Sequence, residues 1–210
     1  MKQKADISLL AIICVFLVLL CLEPLIKIPN HIIPTHFLTC VLTILLFMGF
    51  SNPFEQSTKE IREIQKNGNL AVRLTIALVL SFLLLFVRLA IPLYFIIEEN
   101  LTYNNTNLVL LSLIIKTYIY AMSEEMIFSY GLGKLFKEIK LPKYISWPII
   151  CIIFASAHFI GKKFVALDFI VIAVIRLLFL TIFNLFPSII LISSVHFGTN
   201  IVNALLIDML

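Results

Sequence analysis

The sequence predicts an all-α fold, a polytopic transmembrane helix bundle of about seven spans, with six to eight compatible with its boundaries. Three observations lead there. The chain of 210 residues is 61% hydrophobic and 13% charged, whereas a soluble domain carries about 25% charged residues. Its apolar residues fall into runs close to the length of about 20 that crosses a bilayer as a helix. Its lysines and arginines gather at the ends of those runs, where membrane orientation accounts for them. The net charge of +4 therefore says little about nucleic acid, and the expected partner is the lipid bilayer, with no nucleic acid.

Taken in order, the expected spans are residues 7–26, 32–50, 70–97, 107–133, 144–160, 164–183 and 187–208. The first run follows Lys2 and Lys4. It is too long for a signal-peptide core and has no small-residue cleavage site, so it reads as an uncleaved span. Between spans two and three lies the longest polar stretch, residues 51–69, which suits a short amphipathic surface helix ending at Gly68. The last two spans are parted only by the corner "NLFP". Cys14, Cys21, Cys40 and Cys151 lie inside apolar runs without metal-binding spacing, so they read as small apolar residues.

Lys2 and Lys4, then Lys59, Arg62 and Lys66, then Lys134, Lys137, Lys140 and Lys143 fall on one side if all seven spans cross. The other side holds Lys27, the acidic loop "EENLTYNNTN" with sequons at Asn100 and Asn104, and Lys162–Lys163. The bias predicts a cytoplasmic N-terminus. Residues 1–106 form N-terminal spans without a specific motif, and residues 107–210 form the half that carries chemistry.

That chemistry starts from ionisable residues inside apolar spans. Each costs at least ~2.5 kcal/mol at a helix centre for Asp, Lys or Arg, which makes it a functional candidate by default. Arg88, Lys116 and Asp168 can snorkel to headgroups. Others agree in depth. Glu124 precedes Lys134 by ten residues, roughly 15 Å from the cytoplasmic edge. His196 follows Pro187 by nine, roughly 13 Å from that edge. His158 follows Tyr144 by fourteen, roughly 21 Å. Asn200 shares a helix face with His196, and Phe154 with His158. A lone His or Asn in a span is more often an interhelical hydrogen bond; agreement of all four in depth points to a shared site.

The segments "EEMIFS" (Glu124 to Ser129), "FASAH" (Phe154 to His158) and "HFGTN" (His196 to Asn200) follow the order and spacing EExxxR, FxxxH and HxxxN. They resemble the CAAX protease and bacteriocin-processing family of glutamate intramembrane proteases, which includes the type II CAAX prenyl endopeptidases. The resemblance covers about residues 107–205. It implies an intramembrane endopeptidase acting on a membrane-associated leader, bacteriocin or signalling peptide. Glu124 and His158 would activate water, and His196 and Asn200 would form the oxyanion hole. Glu125 would be structural or tune the charge of Glu124. No cofactor is expected, although one Glu and two His can also make a catalytic zinc site. A bacterial plasma membrane is expected from the short Ile/Lys/Asn/Phe-rich chain. Nothing in the sequence fixes an oligomeric state.

The family's arginine is replaced by Ser129, and the glycine that often follows by Tyr130. Two adjacent carboxylates in a low-dielectric site need a cation or a shared proton. Arg176 lies seven residues before Phe183, roughly 10 Å deep, and Ser129 five before Lys134, roughly 8 Å deep. That match in level makes Arg176 the expected replacement. The missing arginine also motivates a second reading, a catalytically impaired member acting in bacteriocin self-immunity or as a membrane partner. A third, a small proton-coupled transporter, would often show repeats or Gly/Pro-broken helices. No repeat is present, and the chain has 6 glycines.

Overall fold

The computed structural model describes residues 35–90, 106–160 and 164–207, together with 11, 13–15 and 18; side chains are described for those five residues and over 39–85, 114–160 and 164–202. Helix is the only regular structure among the described residues. Helix α1 spans Thr35–Phe50, α2 Pro53–Lys66, α3 Leu70–Ala90 and α4 Thr106–Glu125. Without a break, α4 passes into a π-helical turn, Met126–Gly131, and then into α5, Leu132–Glu138. Helices α6 (Lys143–His158), α7 (Ala166–Leu185) and α8 (Ile189–Ile207) complete the chain.

Most expected spans coincide with these helices within a few residues. The first, 7–26, lies outside the described residues except at helical positions 11, 13–15 and 18. So do the end of the third beyond residue 90, the acidic loop through residue 105 and Lys162–Lys163. One boundary moves. The fourth helix does not stop at residue 133 but runs on to Glu138. Lys134 and Lys137 end the apolar stretch without ending the backbone hydrogen bonding. The stop comes at Lys140, which turns left-handed with φ 58°, just before Pro142.

The polar stretch forms the short amphipathic helix α2. Asn52 caps it, its side chain accepting from the Glu55 N–H at 3.3 Å, and Pro53 opens the first turn, where no N–H is needed. Glu55 and Lys59 pair across one turn at 2.7 Å. The helix ends before Gly68, whose φ of 71° is the left-handed geometry that glycine supplies.

Helix α7 is long and apolar enough to cross a bilayer, and α1, α3 and α8 carry the shorter apolar stretches 39–50, 70–85 and 189–202. Helix α6 packs on α7, α4 on α8, α1 on α4, and α3 on both α7 and α8. The distribution of polarity is that of a lipid-facing bundle. Large apolar side chains such as Leu45, Val79, Phe82, Leu167, Ile170 and Ile190 point outward. Glu125, Ser129, Arg176, Ser193, His196 and Thr199 are buried inside. In water this arrangement would expose a large apolar surface and bury charge; against hydrocarbon it reverses both costs.

Candidate functional site

The π turn aims three consecutive side chains at three neighbours. In an α-helix consecutive residues differ by about 100° in direction, and the extra residue of a π turn shifts the register of the faces beyond it. Phe128 packs edge-on against Phe154 of α6, ring centroids 5.0 Å apart. Ser129 reaches Arg176 of α7. Tyr130 turns to the α1–α2 corner, where its hydroxyl meets the Ser51 hydroxyl at 2.9 Å and donates to Gln56 Oε1 at 2.8 Å. Gly131 makes this close approach possible. A Cβ there would lie 3.0 Å from both the Met126 carbonyl oxygen and Phe47 Cζ.

Glu125, at the head of the turn, is fully buried. Its Oε1 receives Arg176 NH1 at 2.7 Å and lies 2.8 Å from His196 Nδ1. Its Oε2 accepts from the Ser129 hydroxyl at 2.5 Å. Arg176 NH2 in turn donates to Ser129 Oγ at 2.7 Å. Glutamate, serine and arginine thus close a small ring, with the guanidinium fully buried. Arg176 Nε has no hydrogen-bond partner among the described atoms. The guanidinium carbon lies instead 4.8 Å from the ring centre of Phe154 and 5.4 Å from that of Phe128, a cation–π enclosure. The Arg176 guanidinium thus lies against Glu125, with Ser129 between the two.

Glu124 faces a different environment. Its side chain is 20% exposed, and its Oε2 lies 3.5 Å from His196 Nε2. His196 therefore stands between the two glutamates, one at each ring nitrogen. Phe179 flanks its ring at 4.8 Å and Phe154 at 6.1 Å. His158 comes to the same Phe154 ring at 4.4 Å, and its Nδ1 lies 2.9 Å from the Phe154 carbonyl oxygen. A carbonyl only accepts, so Nδ1 carries a hydrogen. Asn200 is half-buried, one turn beyond His196 on α8. Between them, Thr199 donates to the His196 carbonyl at 2.7 Å.

The eight residues singled out from sequence thus occupy α4 and its π turn, α6, α7 and α8. Glu124, Glu125, Ser129, Arg176 and His196 form one connected network, and Phe154 touches Arg176 and both imidazoles. Lys116 and Asp168 do not enter this network, and the side chain of Arg88 lies outside the described residues. Among the described residues no three His, Cys, Asp or Glu side chains are grouped so as to hold a metal ion. Sequence reasoning missed Phe128 and Phe179, which read as ordinary apolar positions. It also missed the partners of Tyr130, for which an aromatic residue in the place of a glycine was the available signal.

Residues 106–202 match the family model described as type II CAAX prenyl endopeptidase Rce1-like. No curated protein and no solved structure matches the chain. The match begins with α4 and ends inside α8, so it contains every residue of the network. Across these residues the chain is similar to the Rce1-like family of type II CAAX prenyl endopeptidases.

Proposed function

We propose that this protein is an intramembrane endopeptidase that hydrolyses a peptide bond in a membrane-associated peptide or protein. The observation that carries the reading is the unequal setting of the two adjacent glutamates. Glu125 is buried and saturated by Arg176, His196 and Ser129. Glu124 keeps partial exposure beside His196, as a group that must reach water and substrate requires. Glu124 takes the proton from the attacking water, and His158 helps orient that water. His196 and Asn200 supply hydrogen bonds to the oxyanion as it forms. The chemistry needs no metal in this reading, because the base, the orienting imidazole and the oxyanion donors are all side chains.

The substrate class is a leader, bacteriocin or signalling peptide, and the setting is a bacterial plasma membrane crossed about seven times, with the N-terminus in the cytoplasm. The alternative, an impaired member serving immunity or membrane partnership, drew on the absent arginine at position 129. A buried guanidinium 2.7 Å from Glu125 supplies positive charge where that reading assumed none, and so favours the enzyme. The test is cleavage of candidate membrane-anchored peptides by purified protein, wild type against Glu124→Ala. Cleavage by the wild type alone supports the peptidase. Equal cleavage by both, or by neither across a broad peptide set, overturns it.

A further inference from the structure

The donor and acceptor accounting around Glu125 fixes a feature of His196 that the proposed oxyanion role leaves open. Ser129 Oγ receives Arg176 NH2, so its single hydrogen goes to Glu125 Oε2. Glu125 Oε1 already accepts from Arg176 NH1. With the guanidinium on one oxygen and a hydroxyl donated to the other, Glu125 is an acceptor at both oxygens. The contact at 2.8 Å from His196 Nδ1 must then be an N–H of the imidazole donated to the carboxylate. A neutral imidazole with its hydrogen on Nδ1 has a bare lone pair on Nε2. That nitrogen lies 3.5 Å from Glu124 Oε2. A proton on Nε2 would turn this approach of two acceptors into an ion pair, whereas a bare Nε2 cannot donate to an oxyanion.

We infer that Glu125 is a positioning residue that holds the hydrogen of His196 on Nδ1, and that in the working enzyme His196 carries a second proton on Nε2, paired with the Glu124 carboxylate. The cluster then holds two carboxylates, Glu124 and Glu125, and two cations, Arg176 and the His196 imidazolium, with no net charge in the low-dielectric interior. The groups around the imidazole from α6 and α7 are the rings of Phe154 and Phe179 and the Arg176 guanidinium, which shares Glu125 Oε1 with it; none of them offers a competing proton acceptor.

This deepens the peptidase reading and rests on it for its chemical consequence. His196 becomes a proton donor as well as an oxyanion donor. Glu124 takes a proton from water while the hydroxide oxygen bonds to the scissile carbonyl carbon. The oxyanion so formed accepts the Nε2 hydrogen bond. As the carbon–nitrogen bond breaks, the Nε2 proton passes to the departing nitrogen, giving a neutral amine and a carboxylic acid. The proton on Glu124 then crosses to Nε2, which restores the starting state with one water consumed.

The test needs no substrate. Protein labelled with ¹⁵N-histidine is reconstituted in lipid nanodiscs at pH 7, and the His196 signals are assigned by their loss in His196→Gln. The wild type is expected to show hydrogen on both ring nitrogens. Glu124→Gln, which removes the paired carboxylate at a partly exposed position, is expected to leave a neutral ring with hydrogen on Nδ1 and a bare Nε2. A bare Nε2 in the wild type, or a neutral ring in Glu124→Gln with its hydrogen on Nε2, overturns the inference. A positive result without any peptide cleavage would leave the proton arrangement standing and remove the peptidase reading instead.

Discussion

Replacing Arg176 by alanine should be the most damaging single change outside the residues proposed to touch substrate. Both members of its ion pair are fully buried, so the variant leaves the Glu125 carboxylate in the bundle interior without its guanidinium. Removing one partner of a buried pair costs about 3–5 kcal/mol. The enclosure by Phe128 and Phe154 adds about 0.5–2 kcal/mol of lost cation–π contact. Hydrogen bonds from His196 and Ser129 offset part of this, so about 3 kcal/mol or more is expected. Trp147 is the sole tryptophan and sits on α6, next to the helix that carries Arg176. Its fluorescence during reversible SDS unfolding in mixed micelles reads the loss directly. A second substitution makes the result specific. Ser129 Oγ already lies 2.7 Å from Arg176 NH2, one helical turn from Glu125. Ser129→Arg in the Arg176→Ala background should therefore recover half or more of the lost stability. An Arg176→Ala variant within about 0.5 kcal/mol of wild type, the scale of an inconsequential surface change, would refute the reasoning.

Glu124→Gln should lower peptide cleavage by about 10²-fold or more while the protein accumulates and unfolds as the wild type does; retention of full cleavage would remove Glu124 as the base. Asn200→Ala should reduce kcat by about 10²–10³-fold with KM little changed, and a raised KM with an unaltered kcat would make Asn200 a binding residue instead. Chelators should leave cleavage intact, and a loss that zinc restores would overturn the metal-free mechanism. Gly131→Ala forces a methyl against the Met126 carbonyl and Phe47, for about 1–3 kcal/mol of overpacking; shortening Phe47 to leucine in the same chain should relieve part of it, and a fully stable single variant would mean that the turn is looser than drawn.

Depth was legible in the sequence and direction around the helix axis was not. Counting residues from Lys134, Tyr144 and Pro187 at the span ends brought Glu124, His158 and His196 to comparable levels, because rise per residue in a helix is nearly constant. The same count paired Arg176 with Ser129. It could not say that Glu125, rather than Glu124, takes the guanidinium, since adjacent residues differ little in depth and by about 100° in direction. That choice is made by the π turn and by which helix packs beside it. The turn itself leaves no strong signature in "MIFSYG". Its one visible mark is the pair Tyr130–Gly131, a large residue that reaches the α1–α2 corner followed by a residue with no side chain to obstruct Phe47. Helix continues to Glu138, past the expected end of the span at residue 133, for a related reason. Charge reports where lipid ends, and backbone hydrogen bonding continues until Lys140 adopts a conformation that breaks it.

The placement of the cation on α7 has a consequence for assembly. An arginine at position 129 would lie four residues after Glu125 on the same helix and can pair with it as soon as that helix forms. Arg176 is separated from Glu125 by the π turn, α5, the whole of α6 and half of α7, so the pair exists only after α7 has packed on the π turn. Until then each charge lies unpaired in its own span, where insertion costs at least ~2.5 kcal/mol for an arginine near a helix centre. Docking of α7 removes both penalties together and at the same moment completes the acceptor set that orients His196. The network that positions the imidazole is therefore also a driving force for the helix packing that builds it. Charge-neutral replacement of the pair, Glu125→Gln with Arg176→Gln, should leave a bundle that packs and a His196 without a fixed tautomer, separating the contribution of the pair to assembly from its contribution to chemistry.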